Sequence, residues 1–348
     1  MGVIYMSKKH IAISIIGASL LTIGTVGGIW SGINTMPKVI NDIQVGINKQ
    51  SQEEVIYNST QNIDKLNIDL TQSHVVIKKH DKQNVIIERS GNKEISNITT
   101  ENKNNELIIK EETKKVTRET KSIDDMVRYF INEMYSSYNS QVTIYLPKKV
   151  NVDIKTDYNS VSVNNDVILN TLNYETYSGS IVFDSNVNFE NLNIKSDTDI
   201  SLGVDEISGI KNINIISNYV NIHEGKSIVS EDDIPENMVI KTNSNDNRDI
   251  IIESNIPLAK NFVIESNSRV FIDLPIVDYK FNFDIEASRN IEFEADDDEK
   301  YYNTPVEKYF VDNNQTLLKE FKGLINEELS QNKNEYFVKI RSSHTIFE

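Results

Sequence analysis

The sequence predicts a mainly β protein. It favours a β-solenoid, or β-helix-like, repeat domain with short helical insertions, preceded by one N-terminal transmembrane helix. Three observations predict this fold. Pairs of apolar residues, two positions apart, recur at a near-constant interval through the middle of the chain. Each pair leads into a polar turn and a second strand-like run. One segment near the N-terminus, 11–33, is long, apolar and free of formal charge.

The repeat is clearest from Gln141 onward, where successive apolar pairs are 20, 20, 21, 25, 24 and 21 residues apart. The pairs are Val152/Ile154, Leu172/Tyr174, Leu192/Ile194, Ile213/Ile215, Met238/Ile240, Phe262/Ile264 and Phe283/Ile285. A single unit of this length has too little apolar surface to fold alone, whereas stacked units shield one another from water. Earlier strand-like runs begin near Ile63, so we predict the solenoid repeat domain over 61–294.

The N-terminal segment has the length of a membrane span. It reads IAISIIGASLLTIGTVGGIWSGI, and at about 1.5 Å per residue it crosses the ~30 Å hydrocarbon layer. Lys8 and Lys9 precede it, which predicts a cytoplasmic N-terminus over 1–10 and an extracellular C-terminal domain. The chain would then be a single-pass protein of the cell membrane, in contact with lipid through 11–33. The alternative is a cleaved signal peptide, although the run is longer than the apolar part of most such peptides.

Three glycines share one face of this predicted helix. Gly24, Gly28 and Gly32 are four residues apart, a spacing that permits close approach of a second helix. One interpretation is self-association into a homo-oligomer within the membrane. The other is that the glycines pair with nothing, because glycine is common in membrane helices.

Other segments depart from the repeat. Residues 34–60 are polar and are predicted to be a juxtamembrane stalk, and 121–136 has the spacing of a short helical insertion. The tail, 295–348, is predicted to contain an acidic loop, an amphipathic helix over 313–331 and a terminal β rung over 335–348. We expect the rung to be the last one or a cap, with the helix packed over the array, because an open sheet edge invites aggregation.

Composition excludes several classes of function. The formal net charge is −16 and the segment 1–34 contributes +2, so the remainder of the chain carries −18. Such an acidic domain repels phosphate backbones, which argues against a nucleic-acid partner. The chain has no cysteine, which excludes disulfides, thiolate metal sites and a cysteine nucleophile.

The sequence contains no recognised catalytic motif, and it predicts no catalytic residue and no cofactor. The five histidines stand apart from one another and are interpreted as surface residues. Asp296, Asp297 and Asp298 form the densest acidic run and are the nearest approach to a metal site. Their spacing matches no calcium motif, so a solvated acidic loop is the preferred interpretation.

Four charged residues fall at similar places in successive repeats: Asp153, Glu175, Lys195 and Glu265. Glycan-cleaving β-helix enzymes place carboxylates on a solvent-facing sheet, and such a stripe would be compatible with that arrangement. Outward positions are polar in any solenoid, so an ordinary solvated stripe is favoured.

The runs IDKLNIDLTQSHVVI and VTIYLP, followed by repeated strands joined by T-x-S-G-like turns, resemble the bacterial putative-adhesin family of unknown function. The resemblance covers 61–294 and the last fourteen residues. It implies a β-solenoid head, often on a membrane-anchored chain. A surface-binding role is implied only by the word "adhesin" in the name of the family. The turn glycine of the family is retained at Gly179. The equivalent places hold Asn159, Thr198, Asn218, Ser268 and Arg289.

The function we expect is a membrane-anchored extracytoplasmic module with a non-enzymatic role in surface binding, adhesion or envelope sensing. Its partner would be a cell-envelope polymer or a membrane protein. One alternative is a carbohydrate-active β-helix enzyme, which requires a groove with converging acids and an aromatic platform. Another is a signalling or scaffold protein that acts through the glycine face of its membrane helix.

Overall fold

The computed structural model describes residues 53–91, 96–113, 140–184, 187–242, 248–276, 278–293, 318–325 and 334–347. The predicted membrane segment 11–33 with its three glycines, the helical insertion 121–136 and the acidic run at Asp296–Asp298 lie outside these residues. Within the described ranges, no helix is long and apolar enough to cross a membrane.

The described chain is built from two-stranded rungs, as the repeat predicts. The first strands of the rungs are β2 (Lys65–Leu70), β8 (Asn151–Thr156), β10 (Ile168–Thr176), β12 (Asn188–Ser196), β14 (Ile210–Ile216), β16 (Asn237–Lys241) and β18 (Asn261–Glu265). The second strands are β3 (His74–Lys79), β9 (Val161–Val163), β11 (Ile181–Phe183), β13 (Asp199–Gly203), β15 (Tyr219–His223), β17 (Ile250–Glu253) and β19 (Arg269–Asp273). Two short helices interrupt the rungs, α1 (Val204–Ile207) and a 3₁₀ helix (Glu231–Asp233).

The remaining strands complete the two ends of the array. At the N-terminal end they are β1 (Glu54–Ser59), β4 (Val85–Ser90), β5 (Ser96–Lys103), β6 (Glu106–Thr113) and β7 (Gln141–Leu146). At the C-terminal end they are β20 (Lys280–Phe293), β21 (Leu318–Ile325) and β22 (Glu335–Phe347). Strand β1 pairs antiparallel with β4, so residues 54–59, which were assigned to the stalk, belong to the folded domain.

The rungs stack into two faces. The first face has the strand order β5-β6-β2-β8-β10-β12-β14-β16-β18-β22. The second face consists of a six-stranded sheet, β1-β4-β7-β3-β9-β11, and a further row, β13-β15-β17-β19-β22. Because β22 is long enough to run through both faces, it joins the first face and this further row into one 16-stranded sheet.

The predicted register of the rungs is confirmed. Leu172 lies opposite Val152 on one side and opposite Leu192 on the other, and Tyr174 lies opposite Ile154 and Ile194. The same in-register pairing continues through the pairs at Ile213, Met238 and Phe262. All of these side chains point inward and are buried. Full burial of each aliphatic side chain contributes about 1.5–3 kcal/mol relative to exposure, which holds the two faces together.

The C-terminal end differs from the prediction. The final strand β22 is not the last rung: it lies between β18 and β20 on the first face, and it also pairs with β19 on the second. The amphipathic helix expected over 313–331 is wrong for residues 318–325, which form β21 and pair antiparallel with β20. Phe321 and Ile325 are four residues apart, a spacing that places them on one side of a strand as well as of a helix. The strand satisfies the open edge of β20, and a helix would leave that edge unpaired.

One turn of the solenoid requires glycine for space. A Cβ atom built on Gly179 would lie 2.3 Å from the Asn159 carbonyl oxygen and 2.5 Å from the Tyr174 hydroxyl. Positive φ values occur instead at Asn104 and Asn105, between β5 and β6, and at Asp166, Gly91 and Gly209 among the described residues. Asn104 and Asn105 form the two-residue hairpin turn that demands this conformation. Gly179 therefore differs from its equivalent Asn159 in the space available for a side chain and not in having a positive φ.

A buried carboxylate fixes the turn between β2 and β3. Glu111 is 9% exposed, and its Oε2 accepts hydrogen bonds from the backbone N–H groups of Thr71, Gln72 and Ser73 at 3.0, 2.7 and 3.0 Å. Its Oε1 accepts the Ser73 hydroxyl at 2.7 Å. The side chain thus satisfies three successive donors that no strand partner reaches.

Candidate functional site

The candidate site lies on the outer surface of the first face. Alternate residues of each strand point away from the core, and in-register stacking aligns them into columns that run across the rungs. We name three of these. The central column is Asp153, Asn173, Asn193 and Asn214. The charged column is Lys155, Glu175, Lys195, Ile216, Lys241, Glu265, Arg341 and Glu286. The asparagine column is Asn151, Thr171, Asn191, Asn212, Asn237 and Asn261.

In the central column, Asn193 and Asn173 each donate a side-chain hydrogen bond to the residue of the preceding rung, and so form an amide ladder. Asn193 Nδ2 donates to Asn173 Oδ1 at 2.8 Å, and Asn173 Nδ2 donates to Asp153 Oδ1 at 2.6 Å. The ladder ends on a charge, since Lys65 Nζ lies 2.6 Å from Asp153 Oδ2. Asn173 and Asn193 each use one of their two side-chain N–H groups in the ladder and keep the other.

The asparagine column is more fully engaged with the protein. Asn212 Nδ2 donates to Asn191 Oδ1 at 3.2 Å and to the Glu190 carbonyl oxygen at 3.1 Å. Asn237 Nδ2 donates to Asn212 Oδ1 at 2.7 Å. Further along, Asn261 Nδ2 reaches Asn237 Oδ1 at 3.2 Å and the Glu236 carbonyl oxygen at 3.3 Å. These amides tie neighbouring rungs together, and Asn212 and Asn261 each donate two hydrogen bonds.

The charged column alternates in sign and pairs with itself. Lys195 Nζ lies 3.0 Å from Glu175 Oε1, and Lys241 Nζ lies 2.7 Å from Glu265 Oε2. The Lys195 hydrogen bond lowers the pKa of the Glu175 carboxyl from its ordinary value of 4.5. About half of each of these side chains is exposed, and each pair therefore contributes little to stability because water screens it. Ile216 interrupts the alternation between Lys195 and Lys241.

An open groove of about 450 Å³ lies over the central and charged columns. It extends from β2 to β14, and its polar lining includes Asn67, Asp153, Lys155, Asn173, Glu175, Asn193, Lys195 and Asn214. Five strands at a spacing of ~4.8 Å make it roughly 19 Å long. The two acidic and two basic side chains in the lining give it a formal charge of zero, although the chain as a whole is strongly acidic.

Two exposed tyrosines stand at the corner beside the groove. Tyr177 follows Glu175 by two residues on the same rung, and Tyr158 occupies the turn of the preceding rung. Their rings meet edge to face with centroids 5.5 Å apart. The two residues are 53% and 69% exposed, so they present aromatic surface to solvent next to the polar floor.

The carboxylates of the groove, Asp153 and Glu175, are both engaged by basic side chains, in each case a lysine. A general acid of a glycosidase needs a raised pKa, whereas the pKa of Glu175 is lowered. Among the described residues, no cluster of three or more His, Asp or Glu side chains could hold a metal ion.

The structure separates the four residues of the predicted stripe. Glu175, Lys195 and Glu265 belong to the charged column, but Asp153 lies one column away, opposite Asn173. The two columns of amides were not predicted from the sequence. Their signal was the recurring triplet asparagine–apolar–asparagine, as in Asn191–Asn193 and Asn212–Asn214, whose outer members point to solvent one rung after another.

Among the described histidines, His74 has a structural role. It is half-buried between rungs, where its Nδ1 lies 2.8 Å from Ser160 Oγ and accepts the Ser160 backbone N–H at 3.2 Å. Burial lowers the pKa of the imidazole from its ordinary value of 6.5. The interpretation of His74 as a surface residue is therefore wrong, and its role is to join β3 to the turn before β9.

The fold defines the class: a parallel β-solenoid of two-stranded rungs whose C-terminal end is closed by an antiparallel strand. Residues 63–246 match the family described as Toastrack DUF4097, and the chain belongs to that family. This agrees with the family of unknown function that the sequence resembles. None of the curated proteins matches the chain.

Solved structures that are similar to this chain include the following three. The first is a putative cell adhesion protein from Clostridium sporogenes, 13% identical, with a TM-score of 0.25 over 85% of this chain and 97% of its own. The second is a putative adhesin from Bacteroides fragilis, 10% identical, with a TM-score of 0.38 over 86% and 98%. The third is a putative lipid binding protein from Parabacteroides distasonis, 10% identical, with a TM-score of 0.31 over 85% and 96%.

Proposed function

We propose that this chain is a membrane-anchored extracytoplasmic β-repeat protein that binds a component of the cell envelope without chemically changing it. One observation supports the proposal above all: a roughly 19 Å groove on the first face in which both carboxylates are paired with lysines. Such a surface offers hydrogen bonds and shape to a ligand, but no unpaired carboxylate that would attack it.

The anchor is part of the same proposal. The uncharged segment 11–33 would hold the domain at the cell membrane, with 1–10 in the cytoplasm and the solenoid outside. Gly24, Gly28 and Gly32 would allow two such helices to pair. Substituting Gly28→Ile and measuring the oligomer size of the full chain in detergent tests the pairing, because a bulky side chain would separate the helices.

The binding role is tested on the full chain in nanodiscs of neutral phosphatidylcholine. The nanodiscs are incubated with purified cell-wall polymer, anionic-lipid vesicles and detergent-solubilised membrane protein, and retention is measured for each. The variant Asn193→Arg should block the groove and abolish retention, because a long charged side chain would occupy its centre. Ser201→Arg is the matched control, since Ser201 is exposed on the second face. Equal retention of wild type and Asn193→Arg by every component, or retention by none, contradicts the proposal.

A further inference from the structure

Two members of the central column, Asn193 and Asn214, retain unused hydrogen-bonding groups on both their amide nitrogen and their amide oxygen. Asn193 donates to Asn173 through one N–H and keeps the second, and its Oδ1 accepts nothing from the described residues. Asn214, the next member, makes no side-chain hydrogen bond to any described residue. In contrast, Asn212 of the asparagine column donates twice, to Asn191 Oδ1 and to the Glu190 carbonyl oxygen, and its Oδ1 accepts from Asn237. The floor of the groove therefore presents a row of amides, each able to donate and to accept, one per rung.

The charge of the groove selects its ligand. Asp153 is paired with Lys65 and Glu175 with Lys195, which leaves Lys155 as the charge of the lining without an ion pair to any described residue. The two acidic and two basic side chains of the lining sum to a formal charge of zero, so the groove offers no strong net field to attract an ion. The chain around the groove is acidic, which would repel an anionic polymer at long range. Electrostatic complementarity therefore favours a neutral ligand whose own groups both donate and accept hydrogen bonds.

The tyrosine pair adds an apolar surface to this polar floor. Tyr158 and Tyr177 are held against each other, which lowers the entropy lost when a ligand packs on them. Rigid tyrosine rings supply a large contact area with a polar tip. A sugar has the matching chemistry, because hydroxyl groups surround its edge and C–H groups form its face.

We propose that this groove binds a neutral polysaccharide rich in hydroxyl and acetamido groups. The chain of sugars would lie across the rungs, with its polar edges on Asn173, Asn193 and Asn214 and one sugar face against Tyr177. This inference rests on the proposed binding function and names the class of its ligand.

The test is calorimetric titration of the full chain, in phosphatidylcholine nanodiscs, with oligomers of β-linked N-acetylglucosamine. Affinity should rise with oligomer length until the oligomer spans the five strands of the groove. The double variant Asn173→Ala with Asn193→Ala should weaken binding about tenfold, the effect of two neutral hydrogen bonds. Tyr177→Ser should weaken it about fivefold through lost contact area. Because Tyr177 is exposed, this variant remains informative if the double variant fails to fold.

Each variant has a control of the same chemistry elsewhere. Asn191→Ala with Asn237→Ala removes two amides of the asparagine column and should leave the affinity unchanged. Phe337→Ala removes an aromatic side chain that is 48% exposed on the first face outside the groove, and it should also have no effect. Affinity should stay constant when the salt concentration rises from about 0.05 to about 0.5 M, because a neutral ligand makes no screened ion pairs.

The outcomes separate this inference from the proposal beneath it. Binding of the neutral oligomers that is lost in the groove variants and kept in the controls supports both. If an anionic polymer or an anionic vesicle binds and the neutral oligomers do not, the ligand class is wrong while the binding function stands. If the oligomers bind equally to wild type and groove variants, the groove is not their site. If no envelope component binds, both proposals fail.

Discussion

Replacing Gly179 by alanine should destabilise the solenoid, although the same change is harmless in most strands. The added Cβ would lie 2.3 Å from the Asn159 carbonyl oxygen, which belongs to the preceding rung. It would also meet the Tyr174 hydroxyl at 2.5 Å and Thr176 Oγ1 at 2.7 Å. Thr176 Oγ1 accepts the Gly179 N–H at 2.7 Å, so the turn cannot retreat without breaking that bond.

The size of the effect follows from two opposing contributions. Forcing one methyl group into a filled space costs about 1–3 kcal/mol. Alanine restricts the unfolded chain more than glycine does, and this raises the free energy of unfolding by up to about 1 kcal/mol. The net loss in free energy of unfolding should be about 1–2 kcal/mol. For a domain of this size it corresponds to a decrease in Tm of roughly 2–8 °C.

The assay is thermal unfolding of the full chain followed by circular dichroism. Gly323→Ala is the control, because a Cβ on Gly323 in β21 would meet no atom within 4 Å. That variant should unfold at the wild-type temperature or slightly above it. If Gly179→Ala is as stable as Gly323→Ala, the close packing of successive turns does not constrain this residue and the argument is refuted.

Three further changes test other contacts. Glu111→Ala should lower the free energy of unfolding by about 2–3 kcal/mol in urea titration, because it strips three backbone N–H groups of their acceptor. The exposed Glu101→Ala should change it by less than about 0.5 kcal/mol. Burial lowers the pKa of His74, so the folded state binds its proton less tightly than the unfolded chain does, and stability is lost as pH falls below 6.5. His74→Gln should make stability less dependent on pH in that window, and an unchanged pH profile would contradict the assignment. Ile340→Ala, in the inserted strand β22, should cost about 2–5 kcal/mol by urea titration, whereas a similar loss in outward-facing Lys339→Ala would show that burial is not the cause.

Much of the solenoid could be predicted because its register is a local property. Each rung places two apolar residues inward. The intervals between Val152, Leu172 and Leu192 therefore predict which residues stack on one another. Longer intervals, as between Ile213 and Met238, leave the inward pair unchanged because the extra residues are accommodated outside the strands. Periodicity alone was therefore sufficient.

The order of the last strands could not be predicted in this way. The inward pair Val338 and Ile340 fits against any rung, and nothing local distinguishes a position after β20 from one before it. Phe321 and Ile325 satisfied the helical period and the strand period equally. Only the unpaired edge of β20, a feature of the assembled array, decides between them.

The groove was partly visible in the sequence. The charges of Glu175 and Lys195 were identified, but their neighbour relations required the register. The contacts within the two amide columns and between Tyr158 and Tyr177 join residues about one rung apart. What distinguishes the amides is which of their hydrogen-bonding groups remain unused. That distinction depends on distances between atoms, which a sequence pattern does not contain.

The place of β22 sets the order in which the protein can be completed. Residues 335–347 are synthesised after β18 and β20, yet they lie between these two strands. Strand β20 cannot take its final position until they arrive. A chain truncated before residue 335 would leave β18 and β20 with no strand between them, and the unpaired backbone groups of both would promote aggregation and proteolysis. This part of the solenoid closes only after residues 335–347 have been synthesised.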